Sequence, residues 1–152
     1  MENSSWDIAP AKNGVIQSFL QPLDKAVPMV AAADIGCLAA ELLQETWNGH
    51  RVVEIEGPHR VTPKEIAASF ASLLGRPVRV EPVPRETWES LFKSQGMKNP
   101  EPRIQMLDGF NEGWIEFECK NVGSRKGKVA LETALRTLIE RESGVRALST
   151  TI

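Results

Sequence analysis

Apolar residues recur along this chain in two rhythms, and the change from one to the other marks out its elements. Ile35, Leu38, Ala39, Leu42 and Leu43 fall at helical spacing and predict an amphipathic helix over 35–45. Ile66, Ala67, Phe70, Leu73 and Leu74 do the same, behind a complete start signal. Thr62 stands as N-cap, Pro63 at the first helical position and Glu65 three residues after the cap, with Gly75 as the stop. Further helices are predicted at 85–96, carrying Trp88, Leu91 and Phe92, and from Pro100 onward, where Ile104, Leu107, Phe110 and Trp114 share a face weakened by Gly109 and Gly113. A last helix, 129–142, is set by Leu131, Ala134, Leu135, Leu138 and Ile139, with Gly144 expected to end it.

Strand rhythm appears in three places. "AVPMVA" (26–31) is a short apolar run. "RVVEIEG" (51–57) and "PVRVEPVP" (77–84) alternate apolar and charged positions. Strand, helix and strand across 51–83 have the composition of a βαβ unit, whose simplest pairing joins 51–57 to 77–83. Residues 1–25 read as irregular with one short extended piece, 143–152 as a frayed tail, and the whole of 1–152 as one domain.

Composition narrows the function. A hydrophobic fraction of 41% and a charged fraction of 25% belong to a folded domain, and a net charge of −2 gives no field that would draw nucleic acid or anionic lipid. No apolar run approaches the ~20 residues of a membrane span. "MENSSWDIAP" has neither a basic start nor an apolar core, so a cytoplasmic location is expected. Cys37, Cys119, His50 and His59 have no recognised ligand spacing, so no metal site is expected.

Chemistry-bearing patterns are few. "GSRKGKV" (123–129) is one residue too short for a phosphate-binding loop and has Val129 where a hydroxyl is needed. It reads as a solvated basic loop, with contact of Arg125, Lys126 or Lys128 to a ligand phosphate as the alternative. No Gly-x-Gly-x-x-Gly and no Gly-x-Ser-x-Gly is present. Asp34 precedes a helix and is accounted for as its cap; an enzyme built on Asp34, Glu41 or Cys37 lacks a paired base, so no catalytic residue is assigned. Glu54 with Glu56, and Glu116 with Glu118, read as solvated acid pairs on one strand face. Trp6, Trp88, Phe110 and Trp114 make either a satellite core or, with Asn111, the wall of an apolar ligand pocket.

Taken in order, "VPMVAAADIGCLAAELL", "VVEIEGPHRVTPKEIAASFASLLGRPVRVEPVP", "GFNEGWIEFE" and "GKVALETALRTLI" resemble the C-terminal half of NmrA-like proteins, atypical short-chain dehydrogenase/reductases that bind NAD(P). "MEN" resembles the segment that follows the sixth sheet strand in that family, so Met1 would match an internal methionine. The resemblance implies a partial Rossmann-like fold, α/β to α+β, with short parallel or mixed strands and about five helices. It implies that the glycine-rich loop and the catalytic Tyr and Lys lie outside this sequence, which has no tyrosine. It also implies that 77–83 pairs with 26–31, while 51–57 joins the parent sheet. Asn3 would match a position near the junction of cofactor and substrate, and Phe110, Asn111 and Trp114 the substrate side; Asp34, Ile35 and Gly36 match a structural motif. With Trp6 and Trp88 these are the candidate substrate-binding residues.

The expected function is therefore the substrate-side portion of an NAD(P)-dependent oxidoreductase, inactive alone and binding no cofactor by itself. The alternative is a non-catalytic binding or regulatory module. Expected partners are a complementing Rossmann half or a second copy, and a small apolar ligand.

Overall fold

A computed structural model describes residues 1–118 and 124–149, with side chains described as far as 144. It is α/β: six α-helices and four short strands among the described residues, the strands in two parallel pairs.

The N-terminal segment is more ordered than its mixed composition predicts. A 3-10 helix, Glu2–Asp7, runs into α1 (Ile8–Lys12), and Val15–Ser18 forms β1. β1 pairs in parallel with β3 (Arg79–Pro82), from Val15 opposite Arg79 to Ser18 opposite Pro82. Both predicted partners of 77–83 are therefore corrected. Pro28 has no N–H to offer a ladder, so 26–31 makes a single antiparallel bridge, Val27 to Val61. The Gly57 N–H bonds the Met29 carbonyl at 2.8 Å, and together these contacts hold 55–61 against 27–29 and away from β3. Only Ile55–Glu56 of the predicted 51–57 strand forms a ladder (β2), in parallel with Arg125–Lys126 (β4) of the loop expected to be solvated.

Between these strands, α2 (Ala32–Leu42) starts three residues earlier than predicted. α3 (Pro63–Leu74) has the predicted ends: Thr62 and Glu65 exchange bonds of 3.1 and 2.7 Å, and Gly75 takes φ 61°. α4 (Trp88–Ser94) follows a short 3-10 turn, and α5 (Glu101–Glu112) stops at Gly113 with φ 91°. α6 (Leu131–Ser149) continues through Gly144 instead of ending there, since a glycine in mid-helix costs only about 1 kcal/mol. Residues 150–152 lie outside the described residues.

Two cores result. In the first, α1, α3 and α6 close over β1 and β3 through Ile8, Ile16, Val61, Phe70, Leu131 and Leu135. In the second, Val83, Trp88, Phe92, Ile104 and Leu107 gather between α4 and α5, with Phe19 edge-on to Trp88 at 5.7 Å. The β1–β3 pair joins them, because each strand leaves the first core to deliver Phe19 or Val83 to the second.

Candidate functional site

A cleft of about 230 Å³ opens where three chain segments converge: Pro28–Val30, Ile55 of β2, and the end of α5 with the residues after it, Phe110 and Ile115–Phe117. Two glycines allow the convergence. A Cβ on Gly57 would overlap the Met29 carbonyl, and one on Gly109 would overlap Ile115. Gly113 reverses the chain in the left-handed region, and the Ile115 N–H returns to the Gly109 carbonyl at 3.1 Å. The walls are apolar except for Glu116.

Glu116 is held as an anion. Arg60 grips both its oxygens at 2.6 and 2.7 Å and the Phe117 N–H adds a third bond at 3.0 Å, which together lower its carboxyl to about 2. Arg60 also bonds Glu56 at 3.3 Å, and Lys126 completes the chain of charges on the other oxygen of Glu56. Glu56 is 3% exposed, so it is not the solvated acid expected from strand alternation. Burying it is tolerable because two cations reach it. Glu54 of the same pair accepts the Glu118 N–H at 2.7 Å. A carboxylate pinned by a bidentate arginine is a poor proton carrier near neutral pH, so Glu116 is not placed for acid–base chemistry.

The six sequence candidates do not form one wall. Phe110 lines the cleft. Asn111 faces away and clamps the preceding loop, accepting from the Gln21 N–H at 2.8 Å and donating to the Phe19 carbonyl at 2.9 Å. Trp88 is a core residue whose indole N–H bonds the Val83 carbonyl at 2.9 Å. Trp6 and Trp114 are surface residues, and Asn3 is exposed. The Arg103 guanidinium lies 5.5 Å from the Trp6 ring and 4.4 Å from that of Phe92, so Trp6 is tied to the second core. The wall residues missed by sequence, Met29, Ile55, Ile115 and Phe117, carry no local signal; they meet only because 29, 55 and 117 are brought together in space.

Asp34 neither caps a helix nor sits in the cleft. α2 begins at Ala32, whose N–H is accepted by Glu2 at 2.9 Å, so the cap comes from a residue thirty positions away. Asp34 is buried in the first turn and accepts the Val129 N–H at 3.0 Å, fixing the approach to α6. A Cβ on Gly127 would collide with it, so that glycine keeps the contact open. Cys37 is exposed and Cys119 lies outside the described residues. No group of three or more His, Cys, Asp or Glu among the described residues could hold a metal, and no described helix is long and apolar enough to cross a membrane.

A second opening, about 410 Å³ and polar, lies beside β2 and β4, between Arg51, Val52 and Val53 on one side and Ser124 and Arg125 on the other.

No protein-family model and no curated protein matches the chain. Among solved structures it is similar to a Citrobacter sp. triphenylmethane reductase, with 19% identity and a TM-score of 0.64 over 90% of this chain and 48% of that one. The same reductase complexed with NADP(H) gives 16% identity and a TM-score of 0.59 over 90% and 47%. The chain thus spans about half the length of the reductase it matches, and it shares that half's α/β fold.

Proposed function

We propose that this chain is the substrate-side portion of an NmrA-like, NAD(P)-dependent oxidoreductase, and that the cleft bounded by Met29, Ile55, Phe110 and Phe117 receives an apolar part of the substrate. The observation that carries this is the overlay of nine-tenths of the chain on about half of a reductase that has been seen with NADP(H). The residues present do not suit a dinucleotide. The sequence has no glycine-rich phosphate loop. Hydride transfer then depends on a nucleotide-binding portion supplied from outside these 152 residues. The exposed apolar side of α2 supports such a missing neighbour: Ile35 is 47% exposed although the spacing of the helix calls for burial.

Calorimetry with NADPH and absorbance titration with a triphenylmethane dye test the proposal together. The dye is expected to bind, and NADPH not to bind tightly. Phe110→Ala should weaken dye binding roughly tenfold, the ~1.4 kcal/mol expected when one aromatic contact is withdrawn. One NADPH bound tightly per chain, or dye binding indifferent to Phe110→Ala, would overturn it.

A second reading, a non-catalytic module that associates with itself or with a protein partner, is favoured by a separate observation. Leu43, Trp47 and Val52 are 82%, 45% and 74% exposed within ten residues of one another. A species of defined oligomeric size that unfolds cooperatively is its signature.

A further inference from the structure

We propose that the groove between Arg51 and Arg125 is an anion site for a phosphate group, a role that does not depend on the apolar cleft. The loop that carries Arg125 sorts its cations by strand alternation. Neighbouring residues on β4 point to opposite faces, and Lys126 is spent on buried Glu56. Arg125 is left on the other face, exposed and with no acidic partner among the described residues, and there it lines the groove.

From the facing segment comes Arg51, and Ser124, next to Arg125 in the chain, also lines the groove. Arg51 is paired with Glu45, but both side chains are more than a third exposed, so this contact exchanges readily with solvent and ligands. Trp47 lies 6.0 Å from the Arg51 guanidinium and limits where it can swing. Two guanidinium groups on one groove repel each other, and a dianion between them removes that repulsion. The planar forks present paired N–H donors at the spacing of phosphate oxygens, and the serine hydroxyl can donate a further bond. A phosphate suits the arrangement better than a carboxylate, having a third oxygen and a second charge to engage both arginines.

Titration of the full chain with inorganic phosphate, phenyl phosphate and acetate at low salt tests this by calorimetry. A single saturable phosphate site is expected, with acetate at least about tenfold weaker. Arg125→Gln and Arg51→Gln should each weaken phosphate about tenfold, while Lys98→Gln, an equal charge loss elsewhere on the surface, should not. Glu45→Gln, which releases Arg51, should tighten binding about threefold, so the proposal has a gain-of-binding arm as well. Phenyl phosphate binding better than the inorganic ion would identify a phosphate ester as the ligand; the reverse would identify free phosphate. No saturable heat, equal loss with Lys98→Gln, or acetate binding as well as phosphate would overturn the proposal, provided the far-ultraviolet spectra of the variants match that of the parent.

Discussion

Three carboxylates on this chain have three fates, and each is decided by what surrounds it. Asp34 is buried with one backbone N–H as its partner. Asp34→Ala would strand the Val129 N–H, and urea unfolding should show a loss of about 1–3 kcal/mol, whereas Asp34→Asn keeps an acceptor oxygen and should lose less. Asp7 is half-buried, and burial pushes its carboxyl up from an ordinary 3.8 to about 6. Between these values the folded chain holds the proton more tightly than the unfolded one, so Asp7 makes stability fall as pH rises from about 4 to 6. Glu116 works in the opposite sense. Its carboxyl is lowered from 4.5 to about 2, so its contribution is present above pH 4.5 and is lost as pH falls toward 2. Its side chain is 43% exposed, so that contribution is discounted to about 1 kcal/mol or less. Thermal melts from pH 3 to 8 should show Asp7→Asn raising stability near neutral pH and flattening the slope between 4 and 6. A parallel displacement of the whole curve would rule out Asp7 as the cause.

At the scale of elements, helices differ in how much of their stability is local. α3 carries its own start and stop, and Thr62→Ala should cost about 1 kcal/mol by removing half of the capping box. Phe70→Ala in the same helix should cost about 3–5 kcal/mol, because that side chain is fully buried and leaves a cavity. The order of these two losses in a denaturant series separates local from tertiary contributions. α2 is the contrary case: its apolar spacing is helical, yet among its residues only Asp34 is buried. The sequence places its start three residues late because Asp34 resembles an adjacent cap, while Glu2 supplies the cap from a distant segment. Alternation predicts β2 and β3 but not their partners β1 and β4, since alternation names a face and never a neighbour.

For the molecule as a whole, an uncovered apolar helix beside exposed Leu43 and Val52 predicts self-association of the isolated chain. Sedimentation velocity over a hundredfold concentration range should show a shift to larger species, reduced in the double variant Leu43→Lys, Val52→Lys. A chain that stays monomeric at every concentration would refute this, and would leave the neighbour of α2 to be found outside these 152 residues.

Sequence alone determined the features that depend on nearby residues. These are the α3 capping box, its glycine stop at 75, the apolar stripes of α3 and α6, and the absence of a dinucleotide fingerprint. Each involves groups within about one helical turn, or a motif contiguous in the chain, so spacing suffices. Only the tertiary structure decided that β1 partners β3, that Glu56 is buried between two cations, that Asp34 holds Val129, and that Met29 and Phe117 share a cleft. Those contacts join residues up to 95 positions apart, and they form because the two cores bring the segments together. No local propensity encodes that distance, because closing a long loop costs almost the same entropy for many alternative partners.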